Sequence, residues 1–148
     1  MHYRDRFFPG FRHLDMASLE GRTKKNIMNE QVKAALSALK RSAFRAGCKL
    51  SAKDLSYLHD KGIRVIRRHA LDLITARIAP AFPENDGKQT PMKNHPVFIA
   101  QPATVTCCRS CISKWHRFPK ERVLKNPEIN FIVDLIMVWI EHQARLPV

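Results

Sequence analysis

Long apolar runs are missing from this sequence. The most hydrophobic stretch, residues 129–140, is interrupted by Asn130 and Asp134 and falls short of the roughly 20 residues a membrane span requires. No secretory h-region develops either, because Arg4, Asp5, Arg6, Pro9, Arg12 and Asp15 break up the first residues. A soluble, cytoplasmic protein is expected. Internal repeats and low-complexity segments are also lacking, so nothing divides residues 27–146, which read as a single helical metal-binding domain behind a basic flexible arm at 1–26. Acids are scarce: 13 Asp and Glu face 26 Lys and Arg, for a formal net charge of +13. Residues 1–50 hold 11 basic against 4 acidic side chains, while 126–148 hold 1 against 3. Such a field favours a polyanionic partner, nucleic acid foremost, over a basic one. The competing explanation is a solvated surface with non-specific adhesion.

What is present points to a folded chain. At 148 residues and 45% hydrophobic, one ordinary core can form without disulfide staples. Val32, Ala35, Leu36, Leu39 and Ala43 recur at helical spacing between Met28 and Ala46, with Lys33, Lys40, Arg41 and Arg45 on the other faces. Gly47 suits the left-handed position that ends such a helix. Ser51 with Asp54 three places on marks a capped start for a helix that stops near Gly62. Another runs from Ile63 to Ala79 and is ended by Pro80; its buried stripe is Ile63, Ile66, Ala70, Leu73, Ile74 and Ile78. Asn126-Pro127-Glu128 opens the last helix with a capping side chain, a Pro at the first helical position and an acid at the positive dipole end. Apolar residues from Ile129 to Ile140 cover more than half of its circumference, which places it at the centre of the core. The predicted class is mainly α: a small helical domain with a long central loop and a Cys/His metal-binding turn.

The loop is residues 80–106. Asn85-Asp86-Gly87 signals a turn, Pro91 and Pro96 argue against regular helix, and Val97 to Ala100 reads as a short buried strand or an apolar anchor. Lys88, Gln89, Thr90, His95 and Gln101 offer donors to an anion or a base edge, or else satisfy the loop's own backbone. The loop leads into Cys107-Cys108-Arg109-Ser110-Cys111. Three thiols in five positions of a reduced protein mean metal or redox chemistry more often than a disulfide. Zinc takes four soft or borderline ligands, and Cys108-x2-Cys111-x4-His116 repeats the first three spacings of a zinc knuckle, whose fourth position falls on Glu121. Cys107 is a candidate for the missing ligand, as are His69, beside the buried face of its helix, and His95. Thiol redox and inert packing stay open. Arg109 and a following helix start would lower a thiol pKa, but the strand that precedes a thioredoxin Cys-x-x-Cys is not evident.

These residues resemble a bacterial family known as domain of unknown function 4186. The likeness rests on Ile66-Arg67-Arg68-His69-Ala70, on 85–92 (Asn-Asp-Gly-Lys-Gln-Thr-Pro-Met), on 95–101 (His-Pro-Val-Phe-Ile-Ala-Gln), on Cys107-Cys108-Arg109 with Cys111, and on Lys114-Trp115-His116. It covers about 36–143 and implies one small domain, with no assigned activity. The family pattern has a second His where this chain has Pro102, and a Gly where it has Asn94.

Two function classes follow. In the first, a zinc-stabilised basic domain binds DNA or RNA through Lys40, Arg41 and Arg45, the loop's Lys88 and Lys93, and Arg109, Lys114 and Arg117. Tyr3, Phe7, Phe8 and Phe11 alternate with arginines in the arm and would suit base stacking, or pack on the domain. In the second, the metal is catalytic in a hydrolase or nuclease acting on a phosphoester, with His95, Asp86 or Glu121 moving the proton. The Asp-His pair and Asn of the His-Asn-His nucleases have no convincing register here.

Overall fold

The computed structural model describes residues 24–84 and 95–145. They form seven helices: α1 (Lys24–Leu39), α2 (Ala43–Ala46), α3 (Ala52–Lys61), α4 (Ile63–Arg77), α5 (Pro96–Ala103), α6 (Arg109–His116) and α7 (Asn126–Arg145). No strand occurs among the described residues. Most of the expected arm lies outside them, as do Asp86, Lys88, Lys93 and the Asn85-to-Thr90 turn.

Helix α7 is the axis of the fold, packing against α1, α4 and α5. Phe131, Ile132, Leu135, Ile136 and Ile140 are fully enclosed, as its encircling apolar pattern requires. Each such side chain contributes about 1.5–3 kcal/mol of transfer free energy. Its start is secured by Glu128, which accepts the Lys125 amide at 2.8 Å and both arms of Arg122 at 2.7 Å. That is the backward reach of a third-position acid in a capping box. Opposite, Val32, Ala35, Leu36 and Leu39 bury one face of α1, and Ile66, Ala70 and Ile74 one face of α4.

Ile63, expected in the buried stripe of α4, is 40% exposed at the helix start, and three further local expectations needed correction. The helix predicted from Met28 to Ala46 breaks after Leu39, where Ser42 Oγ accepts the Arg45 amide at 3.4 Å and starts α2 afresh. Gly62 (φ 84°), rather than Gly47, is the left-handed glycine; it closes α3 by donating to Leu58 O and leads directly into α4. The long loop is shorter than expected because 96–103 is helix α5. Pro96 sits at its first position, where a missing N–H costs nothing, so the proline starts a helix instead of preventing one. The Ser51/Asp54 cap forms as read, each side chain accepting the other residue's amide at 3.1 Å.

Arg109 joins the two halves. Only 1% exposed, it donates Nη1 to the carbonyls of Ile78, Ala79 and Pro80 and Nη2 to those of Pro119 and Arg122. It therefore caps the carbonyl end of α4 and fixes the 117–125 connection that brings α7 into place. This overturns its reading as a nucleic-acid contact. Arg109→Met is expected to lower the unfolding free energy by ~3–5 kcal/mol, since it removes a buried charge and its five hydrogen bonds and strands the buried Ile78 carbonyl. Arg109→Lys should recover less than half of that, because one ammonium cannot span both sets. Urea denaturation followed by circular dichroism measures both.

Candidate metal centre

The thiols are delivered by a tight turn between α5 and α6. His95 caps α5, its Nδ1 accepting the Val97 amide at 3.0 Å. Beyond the helix, Thr104 Oγ1 donates to Ala100 O at 2.8 Å, Gln101 Nε2 to Thr106 O at 3.1 Å, and the Thr106 amide to Gln101 O at 2.8 Å. Gln101, Thr104 and Thr106 are all buried, so this network satisfies the turn's own backbone, the second of the roles open to Gln101. Between the two threonines, buried Val105 has φ 56°, a left-handed conformation a β-branched residue rarely adopts. The surrounding bonds hold it there and turn the chain into Cys107.

Cys107, Cys108 and Cys111 then converge, with their sulfurs all within 4.8 Å of one another. Cys107 and Cys111 Sγ are 3.7 Å apart. Two thiolates at about 2.3 Å from a tetrahedral zinc are about 3.8 Å apart, so that edge already has the dimension of a zinc site. Cys108 is the N-cap of α6 and its sulfur receives the Cys111 amide at 3.4 Å. Hydrogen bonds from the Cys107 and Cys111 thiols, then from the Cys111 and Ser110 amides, pull its pKa down to about 2 against the effect of burial. Cys107 is raised because it donates to Cys108 and Cys111. The arrangement favours the thiolate form at Cys108, with two thiols donating to it at a helix start, and suits a soft cation that displaces their protons. Adjacent thiols normally diverge; here extended Cys108 (φ −159°) and the first turn of α6 bring Cys111 back between them.

The histidines do not join this group. His116, on the inner face of α6, is fully buried against Phe118 and Phe131, and its Nε2 donates to Thr104 O at 2.9 Å. Its knuckle-like spacing from Cys111 serves the core and the turn. His69 and His95 pair with each other, Nδ1 to Nε2 at 3.0 Å, with Tyr57 and Phe98 against the His95 ring. Because His95 Nδ1 accepts an amide, its Nε2 is the protonated nitrogen and donates to His69. Both nitrogens of the acid–base candidate are therefore engaged inside the protein. Glu121, at the fourth knuckle position, is exposed with φ 65°. Lys40, Arg41, Lys114 and Arg117 lie on the surface as expected, whereas Arg45 is half-buried and donates to Pro102 O.

The matching region runs from residue 33 to residue 141. The chain belongs to the family described as domain of unknown function (DUF4186). The thiol turn, Arg109, His69 and His95 all fall inside the family's span. No solved structure matches the chain.

Burial pushes both His95 and His116 down from 6.5 to about 4, with the neighbouring His69 adding to the effect at His95. A histidine kept neutral by the fold lets the unfolded chain take up protons first, so stability is complete above pH ~6.5 and is lost as pH falls towards ~4. His116 alone accounts for a loss on the order of 3 kcal/mol across that window. Unfolding free energies measured between pH 7 and 4 should show this slope, and His95→Gln should make it shallower.

Proposed function

We propose that this protein is a zinc-binding domain whose metal is held by Cys107, Cys108 and Cys111, and whose basic surface binds nucleic acid. The observation that carries the metal reading is the convergence of three sulfurs with a 3.7 Å edge at the start of α6. Thiolate donors select zinc over magnesium or calcium, which prefer oxygen. Three protein ligands leave a fourth position for water or another donor. Nucleic-acid binding is supported by the net charge of +13 and by exposed Lys40, Arg41, Lys114 and Arg117.

Protein purified reduced and without an affinity His-tag should contain about one zinc per chain, as a three-thiolate site predicts. Cobalt exchange should give sulfur-to-metal charge-transfer absorption. Cys108→Ser should abolish both signals while helical content is retained. If the native wild type holds no metal and its three thiols react freely with a thiol reagent, the metal reading fails.

The partner is tested separately, by anisotropy with a labelled generic oligonucleotide. With four phosphate contacts, raising salt from 50 to 200 mM should weaken binding about 100-fold. The variant in which Lys40, Arg41, Lys114 and Arg117 are all replaced by Gln should bind weakly at either salt. No detectable binding at low salt would remove nucleic acid as the partner.

A further inference from the structure

The last turns of α1 and α7 and the short α2 flank an open cavity of about 570 Å³, bounded on one side by Ala103 at the end of α5. Its apolar wall is Leu36, Leu39, Ala103 and Trp139. Around that wall stand Lys40, Arg45 and Arg145. Among the described residues no carboxylate lines it.

Size, wall and charge together define a ligand. The volume lies in the range of small-molecule sites, roughly 300–1,000 Å³, and is far above what one or two waters need. An indole with two leucines favours a flat or branched hydrocarbon body. Lys40 and Arg145, with no carboxylate beside them among the described lining residues, attract negative charge and would repel an ammonium. A wholly polar anion gains nothing from the wall, and a wholly apolar molecule makes no use of Lys40 and Arg145. Only a molecule with both parts uses the whole cavity.

We propose that this cavity is a binding site for a small organic anion with an aromatic or branched apolar body and a carboxylate. The body lies against Trp139, Leu36 and Leu39, and the carboxylate meets Arg145 and Lys40. Arg45, already donating to Pro102 O, adds charge from the α2 side. The pocket shares Lys40 with the proposed nucleic-acid surface, and the charge of Arg45 also reaches Cys111 of the thiol centre, but the small-anion test below is read separately from the metal and oligonucleotide tests.

The probe is 2-naphthoate, with the uncharged isostere 2-naphthamide and inorganic sulfate as controls, titrated calorimetrically into the full-length protein. The expected result is one site per chain for naphthoate, with naphthamide at least about ten-fold weaker, the equivalent of about 1.4 kcal/mol, and no heat from sulfate. Arg145→Gln combined with Lys40→Gln, both on exposed helix ends, should weaken naphthoate about ten-fold or more without altering naphthamide. Position is read independently: Cys48 lines the same cavity, so bound naphthoate should slow its alkylation, followed by peptide mapping. Equal affinity for naphthoate and naphthamide, several weak sites per chain, an affinity indifferent to the double substitution, unchanged Cys48 alkylation or no binding at all would each overturn the proposal.

Discussion

A single buried guanidinium sets the geometry of this domain. Arg109 gathers five carbonyl oxygens, three from the end of α4 and two from the connection leading to α7. A planar fork with five donors is the one side chain able to do this; Ala79 O also takes the Leu124 amide, so the fork is most needed at the other four carbonyls. The same residue is the first of α6, so the thiol turn is registered directly against α4. The placement of the sulfurs is thus a consequence of how the helical halves are joined.

Around that anchor the buried polar side chains of the turn do local work. Gln101, Thr104, Thr106 and His116 are buried and bond to one another's backbone, which permits the left-handed Val105 and sharpens the turn. Such networks specify one conformation because a half-satisfied alternative is costly. They also explain why His116 serves the core while the cysteines beside it are presented together.

Much of this was legible from the residues. Apolar spacing placed α4 and α7, and the Ser51/Asp54 pair announced α3, because periodicity and capping are local properties. The spacing of Cys108 and Cys111 pointed to a shared site, with Cys107 only one of several candidates for a further ligand. What failed depended on contacts distant in sequence. Arg109 reads as a surface cation until the carbonyls of residues 78–80 and 122 surround it. His69 and His95 each read as a candidate to complete the thiol site, yet 26 residues apart they meet each other. Pro96 reads as a breaker when only its missing donor is considered, and as a starter once the His95 cap is seen.

The close sequence spacing of the three cysteines carries a further consequence. An ion held by residues 107, 108 and 111 closes a ring of only a few residues, so it removes little loop-closure entropy from the unfolded chain. Ring size therefore separates metal occupancy from chain folding. On the proposed metal reading, a cation there would be taken up, exchanged or surrendered while the helical scaffold keeps its shape.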